Sequence, residues 1–197
     1  MSLKTNLSLV AICLMASGVA AAATSVGNGT LTINGTINAS TCTVVPSKTS
    51  LTVPNLVPGN INAAAHGAEL YKDTFSFDFK DCGAVGDTMV MKLTRDVNPS
   101  AGAGGPGALK KAGFTYGNSG NTDTAPLYYQ MAPSATTNFF MLDGTGNNID
   151  ISTVQDKGAF SIPVDLIVSK SNNGADSEAG KYVGNFTAAP TWSVEYP

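Results

Sequence analysis

The first regular pattern in the chain is an alternation of apolar or small residues with polar residues from position 29 to 38, a segment we call the arm. Leu31, Ile33 and Ile37 share one parity with Gly35, while threonine and asparagine fill the other. A period of two residues is typical of a β-strand with one buried face. The pattern therefore predicts a strand whose apolar face needs a core to cover it.

Short strand patterns separated by turn residues continue along the rest of the chain. In the clearest of them, Phe75, Phe77 and Phe79 alternate with polar residues. No window keeps a helical period, and turn residues recur about every 8 to 15 positions, so the sequence predicts an all-β sandwich. The predicted strands after the arm are 42–45, 50–53, 73–81, 89–95, 114–116, 127–131, 138–142, 159–169, 181–187 and 191–196.

Two local features modify this picture. Residues 60–67 are small and polar, which predicts a loop. Pro163 lies inside the long strand 159–169, and a proline nitrogen cannot donate to a strand ladder. The sequence therefore predicts that this strand lies at a sheet edge or contains a bulge.

The first 23 residues have the features of a cleaved signal peptide. Lys4 is their one charged side chain, an apolar stretch of about 12 to 17 residues follows it, and Ala21, Ala22 and Ala23 close it. About 20 apolar residues are needed to span a bilayer, so we expect cleavage after Ala23 rather than a membrane anchor. Cleavage removes one of the 11 Lys and Arg and none of the 14 Asp and Glu, so the net charge changes from −3 to −4. Nucleic acid is therefore not an expected partner, because phosphate binding needs a basic face.

Two cysteines, Cys42 and Cys82, remain after this cleavage. In an oxidising compartment they predict one disulfide, which would close a loop of about 40 residues and stabilise the fold by roughly 4 kcal/mol in the loop-entropy model. A metal site is the alternative, but the sequence contains no CxxC pair, and His66 is its single histidine. We expect neither a metal nor a cofactor.

The order and spacing of these features resemble a known family. The arm is followed by Cys42, by Cys82 forty positions later, and by a G-x-Y-x-G-x-F-T-A segment that begins at Gly180 and leads to Tyr196. Together they resemble pilins of the chaperone-usher pathway, of the type 1 fimbrial kind, over essentially the whole mature chain. One difference is Ile33, which stands where an aromatic residue is common in the family's arm.

The resemblance implies an incomplete immunoglobulin-like sandwich that lacks its last strand. In the family a donated strand fills the resulting groove. A periplasmic chaperone lends this strand during export, and the arm of a neighbouring subunit replaces it at the outer-membrane usher. An unfilled groove would expose core and an unpaired sheet edge. The implied segments are a signal peptide (1–23), a donor-strand extension (24–40) and a pilin domain (41–197).

The resemblance also assigns roles to residues of the arm. Leu31, Ile33 and Ile37 would be the side chains inserted into the groove of a neighbouring subunit. Gly35 would lie where the two backbones approach too closely for a side chain. A bulky residue at this position would therefore impair assembly and leave the chain's own domain intact.

At the other end of the chain, Trp192, Val194 and Tyr196 would lie on the last strand, which borders the groove. Tyr196 and the end of the chain at Pro197 would fall near the basic residues with which the chaperone anchors a subunit. The residues alone leave a second arrangement open, in which the arm folds back onto its own domain. A domain closed by its own arm, with no vacancy beside the Trp192 strand, would overturn this account of polymerisation by donated strands.

The sequence lacks the parts of a catalytic site. It has one histidine, no free cysteine once the disulfide forms, and no G-x-S-x-G element, so we expect neither an enzyme nor a small-molecule substrate. The main prediction is a structural subunit of a bacterial surface fimbria that supports adhesion. The second is a secreted carbohydrate-binding module, because Trp192 and the pair Tyr128 and Tyr129 could stack on a sugar. The buried parity of Trp192 argues against this second function.

Overall fold

A computed structural model describes residues 29–37, 42–82, 86–99, 108–117, 125–154, 158–171, 182 and 184–195. The predicted signal peptide and Tyr196 lie outside these residues. Within the described ranges, no helix is long and apolar enough to cross a membrane.

β-Strands account for 55% of the described residues, which confirms the all-β prediction. The strands are β1 (Gly29–Thr32), β2 (Asn34–Ile37), β3 (Thr43–Pro46), β4 (Ser50–Val53), β5 (Glu69–Lys80), β6 (Thr88–Thr94), β7 (Thr115–Tyr116), β8 (Leu127–Pro133), β9 (Asp143–Asp150), β10 (Phe160–Lys170), β11 (Phe186–Ala188) and β12 (Thr191–Glu195).

These strands form three four-stranded sheets, in the orders β4-β1-β11-β7, β3-β5-β10-β8 and β2-β12-β6-β9. The arm passes from the first sheet to the third at Ile33, and the β11–β12 segment makes the same passage beside it, across Ala189 and Pro190. Among the nine strand pairings of the described residues, seven are antiparallel. The two parallel pairings both join the arm to the β11–β12 segment.

Aromatic side chains from different sheets meet in the core. Phe77 on β5 contacts Trp192 on β12, with ring centroids 5.0 Å apart. Phe114 lies between Tyr129 and Phe186, at centroid distances of 5.2 and 4.9 Å. Such tilted and edge-on contacts are the favoured geometry for aromatic pairs. The predicted alternation on β5 is confirmed, because its three inward phenylalanines are at most 2% exposed.

A short helix, α1 (Pro58–Ala63), replaces part of the loop predicted from the sequence. Pro58 lies at the helix start, where its missing N–H leaves no intrahelical hydrogen bond unmade. Ile61 is 1% exposed, and the ammonium group of Lys170 donates to two carbonyls at the end of the helix, each at 2.8 Å. Six residues are too few to show a helical period, so tertiary contacts decide this element.

The predicted strand 138–142 is also wrong, because β9 begins just after it. Phe140 and Leu142 are buried as their alternation suggests. Their backbone N–H groups, however, donate to Met131 and Leu109, two separated parts of the chain, at 2.8 and 2.7 Å. The alternation therefore reports burial in an extended segment and not membership of a ladder.

The strand that contains Pro163 is central and not at an edge, since β10 pairs with both β5 and β8. Its pairing with β8 begins only at Val164. The carbonyl of Pro163 accepts a hydrogen bond from the N–H of Ser134 at 2.9 Å, on the side where β8 has ended. The backbone nitrogen and carbonyl of one strand residue point to the same side. The nitrogen of Pro163 therefore points beyond the end of β8, where no strand is present to accept a hydrogen bond from it.

The predicted disulfide between Cys42 and Cys82 is confirmed, with an S–S distance of 2.08 Å. It joins the residue before β3 to the end of β5. Because Cys42 also follows the arm in the chain, the bond anchors the base of the arm to one of the longest strands of the fold. A disulfide of this kind indicates an oxidising compartment.

One buried charge is tied into the sheet. Asp165 on β10 is 1% exposed, and its carboxylate accepts hydrogen bonds from Lys72 at 2.8 Å, Thr74 at 2.7 Å and the backbone N–H of Ala135 at 3.3 Å. Burial opposes ionisation and raises the pKa of this carboxyl. These donors outweigh the effect of burial and lower the pKa to about 2.

We predict that Asp165 makes the fold sensitive to acid. Its pKa in the folded state lies below the ordinary value of 3.8, so its contribution is complete above that value and is lost as the pH falls toward 2. The contribution is about 2 kcal/mol by proton linkage. Asp165→Asn should lower the free energy of unfolding at pH 7, measured by urea denaturation, and should differ little from the wild type near pH 2. A suitable control is Asp78→Asn, which removes a half-buried carboxylate bonded to two serine hydroxyls and should cost less. An equal loss in both variants would contradict this role for Asp165.

Candidate functional site

The arm fills a gap between strands of its own domain. Its first half, β1, lies between β4 and β11, with Thr30 opposite Thr52 on one side and opposite Thr187 on the other. Its second half, β2, pairs with β12 and is the outer strand of its sheet. The arm is therefore the strand that joins β4 to the β11–β12 segment.

The apolar parity of the arm faces the core of the same chain. Leu31 is 1% exposed and Ile33 is 5% exposed, whereas Thr30 and Thr32 face outward. Ile37 falls opposite Val194 in the strand register. The alternation thus predicted correctly that Leu31 and Ile33 need a core.

The source of that core differs from the expectation drawn from the family resemblance. The arm was predicted to serve a neighbouring subunit, and in this structure it closes its own groove beside Trp192. Closure buries Leu31 and Ile33 and gives β4, β11 and β12 a hydrogen-bonded neighbour, which removes the exposed edges that an empty groove would leave. The fold-back arrangement that the residues had left open is the one observed.

Two glycines allow the arm to pack closely against aromatic rings. A Cβ atom at Gly35 would overlap the ring of Trp192, and one at Gly29 would overlap the ring of Phe186. Phe186 is fully buried and Trp192 is 6% exposed, so neither ring is free to turn into solvent. The expectation that a bulky residue at Gly35 would spare the chain's own domain is therefore wrong for the closed arrangement.

Sequence reasoning assigned no role to the contact between Gly29 and Phe186. A signal for it exists, because the two glycines are six residues apart and Phe186 is also six residues before Trp192. Glycines and aromatic residues with the same spacing on two neighbouring strands indicate two matched contacts. This signal can be recognised only once the two strands are known to be neighbours.

The last strand supplies the other wall of the closed groove. Val194 is fully buried beside the arm, and the Trp192 indole N–H is buried with no acceptor among the described residues. A buried donor without a partner costs about 1–3 kcal/mol. On the other side of β12 from the arm, Lys92 of β6 and Glu195 form an ion pair at 2.6 Å, and both side chains are about 40% exposed. Closure by the chain's own arm is thus well packed but leaves one polar group unsatisfied.

The aromatic residues considered for sugar binding do not offer a stacking face. Trp192 is 6% exposed, Tyr128 is 4% exposed and Tyr129 is fully buried, and the Lys111 ammonium lies 4.8 Å from the centre of the Tyr128 ring. Among the described residues, no group of three or more His, Cys, Asp or Glu side chains could hold a metal ion. The interactions that the described residues make at this site are strand pairing and side-chain packing.

Comparison with known proteins gives no relative from which to transfer a function. No protein-family model matches the chain, and no curated protein is significantly similar to it. The geometry of the groove and its arm must carry the functional argument.

We predict that Gly35→Ala loosens the closed arm. The added methyl group meets the buried ring of Trp192, so the variant should lose about 1–3 kcal/mol of stability, as overpacked sites do. Gly86→Ala is the matched control, because a Cβ atom at Gly86 meets nothing within 4 Å. Both variants can be compared with the wild type by chemical denaturation. Equal denaturation midpoints for the two variants would show that the missing side chain of Gly35 is not needed for packing against Trp192.

Proposed function

We propose that this chain is a structural subunit of a bacterial surface fimbria that polymerises by donor-strand exchange. In this proposal it is exported through the periplasm, and its neighbours in the fibre are other copies of the pilin. The observation that carries the proposal is that the strand closing the domain is a separate segment ahead of Cys42, paired among the described strands only with β4, β11 and β12. The finer fold that we propose is an immunoglobulin-like sandwich in which the arm occupies the place of the last strand.

The arm can leave while most of the strand pairing stays in place, at the cost of the one strand neighbour that β4 has among the described residues. Of the nine described pairings, three involve the arm, and they join it to β4, β11 and β12. The pairings among the other strands, including the extensive one between β5 and β10, do not depend on it. The Cys42–Cys82 disulfide fixes the segment that follows the arm to the end of β5. The arm can therefore leave the groove while the point where it joins the domain stays in place.

Any strand with the same pattern can fill the groove, and every copy of the chain carries one. What the groove requires is a β-strand with aliphatic residues at the places of Leu31 and Ile33 and glycines at the places of Gly29 and Gly35. The arm and the groove are different surfaces of one molecule, so a contact between two copies leaves one arm and one groove unused. Such a heterologous contact propagates head to tail into a fibre instead of closing into a dimer.

The closed structure overturns the expectation of a vacant groove beside the Trp192 strand, so the mechanism that we propose in its place is an exchange. The arm must leave its own groove before the arm of a neighbour enters. The unsatisfied indole N–H of Trp192 and the single neighbour of β2 both limit how strongly closure is favoured. A periplasmic chaperone and an outer-membrane usher, the partners implied by the family resemblance, would keep the arm and groove apart until a neighbour is present.

We predict that strand exchange depends on the buried parity of the arm. A labelled peptide of residues 24–38 should enter the mature chain in mild denaturant and move with it on a native gel. The same peptide with Leu31→Asp should fail, because burying an unpaired carboxylate costs about 3 kcal/mol or more, at least a hundredfold in affinity. The matched control is the peptide with Thr30→Asp, which adds the same charge on the exposed parity and should still enter.

The same two substitutions in the full mature chain test polymerisation. Chains with Thr30→Asp should form fibres visible by electron microscopy in the presence of the chaperone and usher, whereas chains with Leu31→Asp should not. A mature chain that stays monomeric and takes up no wild-type arm peptide would contradict the proposed function.

A further inference from the structure

A cleft lies along β9, at the opposite edge of its sheet from the arm. The sheet is ordered β2-β12-β6-β9, so β2 of the arm and β9 are its two edges, with two strands between them. The cleft has a volume of about 320 Å³ and is lined by Pro133, residues 138–140 and residues 147–150. None of these described lining residues belongs to the arm, so the cleft is a surface separate from the groove.

The amide side chain of Asn147 ties the two walls of the cleft together. Its oxygen accepts a hydrogen bond from the backbone N–H of Met141 at 2.7 Å, and its nitrogen donates to the carbonyls of Met141 and Met91 at 3.0 and 3.1 Å. This side chain takes the place of a ladder between residues 138–142 and β9. Because β9 has no second strand neighbour among the described residues, backbone N–H and C=O groups of its outer edge border the cleft.

Phe139 is an aromatic residue that turns away from the core. Phe140 and Leu142 are buried, whereas Phe139 falls on the opposite parity and is only half-buried. It is one of the residues that line the cleft. Aromatic side chains beside a few polar groups are typical of the walls of ligand sites. Phe139 therefore has the placement of a ligand contact.

The polar side chains of the cleft suit a neutral ligand with hydroxyl groups. Asn138, Asn148 and Asp150 are exposed on its walls. Amides both donate and accept hydrogen bonds, and a carboxylate accepts from several donors at once, among them here the backbone N–H of Ser152 at 2.8 Å. Asp150 is the one ionisable side chain among the described residues that line the cleft. An anionic ligand would therefore find a like charge and no cation to pair with.

A second cavity of about 250 Å³ continues from the cleft and shares Pro133, Ile149 and Asp150 with it. Much of its lining is apolar, and the side chains of Ile151 and Ile162 in it are at most 7% exposed. A charged group would lose its hydration there without a partner, whereas a methyl group would not. The two cavities together match a ligand that is polar at one end and carries a small apolar group at the other.

We propose that this cleft binds a neutral sugar that carries an N-acetyl group. The Phe139 ring stacks on the C–H face of the sugar, because the negative face of an aromatic ring attracts weakly positive hydrogens. Asn138, Asn148 and Asp150 hydrogen-bond to the hydroxyls. The amide of the N-acetyl group pairs with the outer edge of β9, and its methyl group enters the second cavity. This site shares no residue with the buried Trp192 considered earlier for sugar stacking.

The proposed function would multiply the effect of this site. A single sugar of this size binds with a Kd on the order of 1 mM. Every copy in a fibre would carry the cleft, and linking many copies raises the overall affinity by about 10²- to 10⁴-fold. Only this gain in a fibre rests on the proposed function, because the cleft is complete in a single chain.

The site is tested first with the single mature chain. Titration with the methyl glycosides of N-acetylglucosamine and N-acetylgalactosamine, followed by NMR, should shift the Phe139 ring and Asn148 amide signals saturably for at least one of them. Methyl glucoside, which lacks the N-acetyl group, should bind at least about tenfold more weakly. The methyl glycoside of sialic acid keeps the N-acetyl group but adds a carboxylate, so repulsion by Asp150 should prevent saturable shifts.

Two pairs of variants test the residues. Phe139→Leu keeps an apolar side chain but removes the ring, so it should weaken binding about tenfold, whereas Phe139→Trp keeps a ring and should bind. Asn148→Ala should also weaken binding. Its matched control is Asn55→Ala, which changes an exposed asparagine outside the cleft and should bind like the wild type. Urea denaturation of each variant checks that the fold is intact.

The outcomes separate this proposal from the proposed function. Absence of saturable shifts with both N-acetyl sugars overturns the site, and fibre formation would remain unaffected. Binding that neither Phe139→Leu nor Asn148→Ala weakens places the sugar elsewhere and also overturns it. A single chain that binds the sugar through these residues but never forms fibres supports the site and overturns the proposed function.

Discussion

The fold depends on a close approach between the arm and the β11–β12 segment. Gly29 and Gly35 leave the space that the rings of Phe186 and Trp192 occupy, so two backbones can pair while large aromatic groups remain in the core. With a side chain at either glycine, the arm would collide with these rings and could not pair with the β11–β12 segment. The ladder with β4 and the burial of the aliphatic residues of the arm follow from this approach.

The position of the arm in the chain gives this contact its functional meaning. In the proposed function the arm is the strand that is exchanged, and the Cys42–Cys82 disulfide would hold its base during the exchange. The closed structure therefore shows a groove that needs a strand of defined pattern and a segment that supplies it. In the proposed function, one arm and one groove in each molecule would build a linear polymer.

Sequence predictions succeeded where a pattern extended over many residues and failed where the segment was short. The phenylalanines of β5 and the methionines of β6 alternate over enough residues to identify both the strand and its buried face, and all of them are buried. Residues 138–142 alternate equally well but hydrogen-bond to scattered partners, because alternation records burial and carries no information on pairing. Helix α1 is too short to have a period and depends on Lys170, which lies more than a hundred positions away.

Pro163 shows the same limit. Its missing donor excludes a ladder bond at one point, but only the ends of the neighbouring strands decide whether that point has a neighbour. For the site, the sequence by itself determined which residues of the arm are apolar, which cysteines can bond, and which parity of the last strand is buried. The tertiary structure decided whose groove the arm fills and in which direction it runs. The physical reason is that side-chain alternation fixes the face of a strand, whereas the partner and polarity of a strand depend on which unpaired edge lies within its reach.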